Sequence, residues 1–99
     1  MPQVIFTPVA LGDIERLREF LRSKNPLAAK RAGESIVKAI RILEQQPQIG
    51  RPVQDMPPDF RDFIVEFGDS GFVVRYRYTV GSSIVVLTVK HQKEAGFSV

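Results

Sequence analysis

Among the residues of this 99-residue chain that can do chemistry, the cations are the ones whose spacing makes a pattern. Arg61 opens one segment of alternating apolar residues, Arg75 and Arg77 alternate along the next, and Lys90 with His91 closes a third, while Arg51 sits in Gly50-Arg51-Pro52. If these segments are adjacent antiparallel strands, several cations share one surface. Phosphate would be drawn there by charge, and arginine would bind it bidentately. Arg51, Arg61, Arg75, Arg77 and Lys90 are therefore the candidates for binding an anion or a target. The plainer alternative is a solvated outer sheet face with Asp62 and Glu66 as neighbours, the usual environment of such side chains. Arg51 also has two readings, as a ligand for carboxylate or phosphate and as half of a semi-buried structural pair.

His91 is the sole histidine. With an unperturbed pKa of about 6.5 it has the right chemistry for a proton carrier, but a general base needs a nucleophile and a stabiliser of developing charge within reach. Its sequence neighbours Lys90 and Gln92 identify neither, so structural hydrogen bonding is the simpler role. The absence of cysteine excludes disulfides, thiolate metal sites and a cysteine nucleophile, and one histidine excludes a multi-histidine metal centre. No phosphate-binding glycine motif, serine elbow or spaced pair of acids is present. No cofactor and no metal are expected. Fourteen Lys and Arg against eleven Asp and Glu give a net charge of +3, which permits an anionic partner without requiring one.

The elements that must position these groups follow from periodicity. Val4 to Phe6 reads as a short strand, and Leu11, Ile14, Leu17, Phe20 and Leu21 recur at the steps of an amphipathic helix ending near Lys24. Asn25-Pro26 supplies a cap and a first-turn proline for a second helix, with Ala29, Ala32, Ile36, Ile40 and Leu43 as its buried stripe and Gln46-Pro47 as its end. Small alanines near its start let it lie close against the first helix in an antiparallel hairpin. Pro47 to Asp59, with four prolines and Gly50, reads as a connector. Phe63, Val65 and Phe67 then alternate, Gly68 to Gly71 supplies a turn, and Phe72, Val74, Tyr76, Tyr78 and Val80 alternate with Val73, Arg75, Arg77 and Thr79. After Gly81-Ser82, the apolar run Ile84 to Val89 suits a central strand covered on both faces. Tyr76 and Leu87 are expected in the core, and the tail from Lys90 to Val99 shows no clear element. The seven phenylalanines and two tyrosines read as core rather than as base-stacking platforms, because the sheet aromatics follow the period of two that a half-buried sheet demands.

The fold class is thus α+β: an N-terminal strand, then an antiparallel helical hairpin packed on a largely antiparallel sheet of three further strands, in one domain over residues 1–99. No window approaches the roughly 18 apolar residues of a membrane span, and the first residues lack a basic leader with an apolar stretch, so no membrane partner and a cytoplasmic location are expected.

Several segments in this order resemble the RelE/ParE toxin superfamily, and most nearly its ParE-like branch. They are Asp13-Ile14-Glu15-Arg16-Leu17, Asn25-Pro26 with Ala28-Ala29, Gln46-Pro47-Gln48-Ile49-Gly50-Arg51-Pro52, Phe60-Arg61, Phe72-Val73-Val74-Arg75-Tyr76-Arg77 and Val89-Lys90-His91. The resemblance implies the same fold and a toxin held inactive by a cognate antitoxin protein, without direct sequence-specific DNA binding by this chain alone. It implies DNA gyrase as the target, bound so that replication is blocked, or the ribosome, where messenger RNA is cut by the 2′-hydroxyl with basic residues and sometimes a terminal His-Tyr pair, or a ParE-like toxin with another target. Against the ribonuclease pattern, Gln92 follows His91 where an aromatic would stand, and Val73 falls where an arginine can. Arg61, Lys90 and His91 are the residues that would serve if the ribonuclease applied. The antitoxin is expected in apolar grooves beside the helical hairpin and the sheet edge.

Overall fold

The computed structural model describes residues 1–67 and 70–92. Strand β1 (Val4–Phe6) leads into helix α1 (Pro8–Lys24), helix α2 (Pro26–Gln45), strands β2 (Arg51–Pro52), β3 (Phe60–Phe67), β4 (Ser70–Tyr78) and β5 (Ile84–His91). The five strands form one sheet in the order β1-β5-β4-β3-β2; β1 runs parallel to β5 and the other pairs are antiparallel. This is the expected α+β class, with one addition. The Pro47–Asp59 connector contributes the two-residue β2, which lies opposite Arg61 and Asp62.

Helix α1 begins at Pro8 because the Thr7 hydroxyl accepts the Ala10 N–H, leaving proline at the first turn, where its missing donor costs nothing. Asn25 ends α1 by donating its N–H to the Leu21 carbonyl and starts α2 by accepting from the Leu27 and Ala28 N–H groups. One residue therefore sets the hairpin. The buried stripe of α2 is Ala32, Ile36, Ala39 and Leu43, close to expectation. That of α1 is rotated from the expected one: Ala10, Asp13, Leu17 and Leu21 face inward, while Leu11 and Phe20 are exposed. Leu11 and Phe20 belong to the flanks of the stripe, and Lys24 reaches its ammonium over the Phe20 ring at 5.1 Å.

The core lies between the helical hairpin and one face of the sheet, with Leu17, Leu43, Phe72, Val74, Tyr76, Ile84 and Val86 fully enclosed. β5 is an inner strand of the sheet, flanked by β1 and β4, but is not covered on both faces. Its burial alternates, and the phase changes midway: Ile84 and Val86 are buried before Leu87, Val89 and His91 after it. The cause is a bulge. Arg75 pairs with Thr88 and Tyr76 with Val86, so Leu87 is the extra residue. It is half-buried rather than a core residue, and its carbonyl accepts from the Thr7 hydroxyl. Val80 lies beyond the end of β4 and is 75% exposed. The expected turn residues Gly68 and Asp69, and the tail from residue 93, lie outside the described residues. Within the described part of the tail, β5 runs on through Lys90 to His91.

Candidate functional site

Two regions hold the features of interest. The first is a cleft of about 460 Å³ between the helical hairpin and the sheet, walled by Ile14, Leu17 and Leu21 of α1 and by Ile36 and Ile40 of α2, with Phe6 and Phe72 at its base. Its polar groups, Arg18, Arg41 and Glu44, come from the helices. Gly33, with nothing within 4 Å of where a Cβ would stand, leaves the α2 wall low. An apolar floor with charged lips has the form that receives an amphipathic segment, whose apolar side fills the groove.

The second region carries the cations of the last strands. Arg75 and Arg77 lie on the sheet face opposite Tyr76, as expected, but both are neutralised. Arg75 makes a bidentate pair with Asp62, Nε to Oδ1 at 2.8 Å and Nη2 to Oδ2 at 3.0 Å. The Asp62 hydrogen bonds and charge hold the Arg75 pKa above its usual value despite partial burial. Arg77 Nε donates to Asp59 at 2.7 Å while its guanidinium lies over the Phe60 ring, and this bond is the largest influence lowering the Asp59 carboxyl below its usual range. Asp62 is thus the expected acidic neighbour. Glu66 is not; it lies opposite Gly71.

Arg61 lies directly opposite Tyr76 and so on the helix-side face, away from Arg75 and Arg77. It grips a loop: Nη1 donates to the Gly50 carbonyl at 2.6 Å and to that of Gln48 at 3.2 Å. Tyr76 holds the same loop from beneath, accepting the Gly50 N–H at 2.9 Å and donating to the Pro47 carbonyl at 2.8 Å. Burial pushes the phenol pKa up, partly opposed by the Gly50 bond. Gly50 has no alternative here, since a Cβ would stand 2.8 Å from the Tyr76 ring and hydroxyl. Arg51, next in the chain, is exposed at the start of β2.

Lys90 and His91 part company. The Lys90 ammonium reaches Asp13 at 3.2 Å, while His91 is 6% exposed with its ring edge-on to Phe72 at 5.3 Å between centroids. Hence the six candidates do not form one cationic face: Arg61 and His91 look toward the helices, Arg75 and Arg77 away from them, and Arg51 projects at the rim.

Asp13 carries the tie that periodicity alone did not single out. Only 3% exposed, it accepts the Val89 N–H at 3.0 Å and also pairs with Arg16 and Lys90. Burial would raise its pKa, but the bonds from Arg16, the Val89 N–H and Lys90 outweigh that and hold it below the usual carboxylate value. Its signal was in the sequence: Ala10, Asp13, Leu17 and Leu21 fall at three- and four-residue steps, placing the carboxylate on the buried stripe itself. Among the described residues no cluster could hold a metal ion and no helix is long and apolar enough to cross a membrane.

Comparison with known proteins agrees with this architecture. The chain is 35% identical over 91 residues to Toxin RelE1 of Caulobacter vibrioides, covering 92% of this chain and 94% of that protein. It is 31% identical over 94 residues to Toxin RelE3 of the same bacterium, covering 95% and 98%. A solved structure of a chromosomal ParDE TA system from P. aeruginosa superposes with a TM-score of 0.69 at 21% identity, over 92% of this chain and 96% of that one, and shares the fold. Residues 4–96 match the family described as the ParE toxin of the type II toxin-antitoxin system parDE, and the chain belongs to that family.

Proposed function

We propose that this chain is the toxin of a type II toxin–antitoxin module, held inactive by an antitoxin segment seated in the cleft between hairpin and sheet. When free, it arrests growth by binding DNA gyrase and blocking replication. The cytoplasm is the compartment this requires. The observation that favours a binding inhibitor is the engagement of two of the three groups a nuclease would use: Lys90 is paired with Asp13, and His91 is enclosed against Phe72. Attack by a ribose 2′-hydroxyl needs an accessible base beside a free cation. Inhibition by binding needs neither.

The ribosome-dependent ribonuclease is the second reading. It draws support from the names of the two relatives, both RelE toxins, and from Arg61, whose guanidinium contacts carbonyls rather than a carboxylate among the described residues. Inducing the toxin alone, with replication and message integrity followed in parallel, separates the two. The gyrase reading expects replication to stop first, purified protein to block supercoiling, and His91→Gln to retain the arrest. Cleavage sites in a message that vanish in a folded His91→Gln variant would establish the ribonuclease, because general acid–base assistance is worth about 10²–10⁴-fold. The seat of the antitoxin is tested separately by Val37→Glu, which charges an exposed position lining the cleft: neutralisation should fail while toxicity persists.

A further inference from the structure

We propose that the open segment of β3, residues 63–67, is a self-association edge at which two copies of this chain pair antiparallel about a two-fold axis through Val65. The limits of that segment are set by the fold. At one end, β2 occupies the edge opposite Arg61 and Asp62 and goes no further, because the chain before Arg51 is drawn toward the helix side by the Tyr76 and Arg61 bonds to Gly50. At the other end β3 stops at Phe67. Among the described residues no strand pairs with the outer edge between these limits, and Val65 is its midpoint.

The backbone polarity of the segment fits. The Asp62 carbonyl faces the β2 side, 3.0 Å from the Cβ position of Gly50, whereas the Val65 carbonyl faces Gly71 of β4. With a strand period of two, Ile64 and Glu66 therefore direct their N–H and C=O groups outward, unpaired within the sheet. Exposed edges are ordinarily blunted by proline, lysine or a bulge. Phe63-Ile64-Val65-Glu66-Phe67 has neither proline nor lysine, and Glu66 is its one charged residue.

The side chains make the edge self-complementary. A two-fold through Val65 sets Phe63 opposite the partner's Phe67 and Val65 opposite the partner's Val65, all on the helix-side face, where the groove beside β3 continues onto Ala39 and Ile42 of α2. On the outer face it sets Ile64 opposite the partner's Glu66, and each such pair exchanges the outward hydrogen bonds of both residues. Any register that brought the partner's strand opposite Asp62 would collide with Arg51 of β2. The segment thus has one symmetric register that uses its full length, which is the condition for an isologous contact.

The experiment is sedimentation equilibrium of the full chain over a range of concentrations. A reversible monomer–dimer equilibrium is expected, with slowed hydrogen exchange at the Ile64 and Glu66 amides in the dimer. Glu66→Pro removes an outward N–H that the sheet does not use, so it should abolish the dimer while leaving the circular dichroism spectrum unchanged. Ile64→Lys places an ammonium opposite the partner's Glu66 and should tighten association several-fold, whereas Ile64→Glu opposes like charges and should weaken it several-fold. That reversal of sign belongs to this register alone and decides the matter even if the proline variant fails to fold. A monomer at all concentrations, equal effects of the two Ile64 variants, or protection of these amides appearing only when an antitoxin is added would each overturn the proposal; the last would assign the edge to the antitoxin.

Discussion

β1 pairs with three residues of β5 and β2 with two of β3, so both edges of this sheet are covered by strands too short for them. What lies beyond each short strand differs. Past the end of β1, Thr7 and helix α1 supply β5 with partners in place of a strand: the Thr7 N–H and hydroxyl donate to the Val86 and Leu87 carbonyls, and the Asp13 carboxylate accepts the Val89 N–H. Past the end of β2 nothing among the described residues does the same for β3. A parallel β1 followed directly by a helix makes this possible, because the helix begins where the strand leaves off, along the same edge. β2 is antiparallel to β3, so the chain that could cover residues 63–67 is the loop before Arg51, and the Tyr76 and Arg61 bonds to Pro47 and Gly50 hold that loop toward the helix side instead.

The comparison breaks most severely at Asp13. Asp13→Ala would leave the Val89 N–H without its acceptor and strip the counter-charge from Lys90 and Arg16. A buried donor left unsatisfied costs about 1–3 kcal/mol, and loss of the charge-assisted bonds adds to it. A loss of about 2–4 kcal/mol in urea unfolding is expected, with Asp13→Asn costing roughly half because one acceptor oxygen remains. If Asp13→Ala unfolds no more easily than an exposed substitution, the helix is not acting as a surrogate strand.

Next in size is Thr7→Val, which removes both the cap of α1 and the donor to the bulge carbonyl. Loss of a Thr cap typically costs about 1 kcal/mol, and a domain this size loses roughly 4–8 °C in Tm per kcal/mol. A melt of Thr7→Val should therefore fall by several degrees, and Thr7→Ser should restore most of it.

Acid offers a third test on the same residue. The Asp13 carboxyl is held below its usual value in the folded chain, so the unfolded state binds its proton first. Its contribution is then fully present above the unfolded carboxylate value of about 3.9 and is lost as pH falls through the folded one. Urea midpoints taken from pH 6 down to pH 3 should decline, and Asp13→Asn should decline less steeply. Identical slopes would place the acid sensitivity elsewhere, for which Asp59 beside Arg77 is the next candidate.

How much of this was legible in the sequence follows from how local each signal is. The helices announced themselves through Asn25-Pro26 and the alanine and isoleucine spacing, and the β3–β4 alternation placed Arg75 and Arg77 on the face away from Tyr76, because period and polarity are properties of neighbouring residues. Leu87 reads as core from its own run Ile84–Val89, because a bulge is decided by pairing with another strand. Arg61 was grouped with Arg75 and Arg77, yet its face depends on a register in which it meets Tyr76. The carboxylate that neutralises Lys90 is sequence-distant, Asp13 lying 77 residues away, and no periodicity spans such a gap. Asp13 itself stood on the buried stripe of α1, where a charged residue is the informative exception.

The smallest expected effect is at the open edge. Glu66 is exposed and, among the described residues, its side chain makes no hydrogen bond or ion pair, so Glu66→Ala should shift the stability of the monomer by under about 0.5 kcal/mol, as surface substitutions away from caps and networks do. The measurement must be made at high dilution, where association does not contribute by mass action. Near-silence here beside a large loss at Asp13→Ala is the outcome that sharpens the contrast: one edge is closed by side chains whose removal is felt throughout the fold, and the other is tolerant because nothing within the chain depends on it. A loss at Glu66→Ala approaching that of Asp13→Ala would mean that the outer edge of β3 is already engaged by the chain itself, and the two edges would be alike.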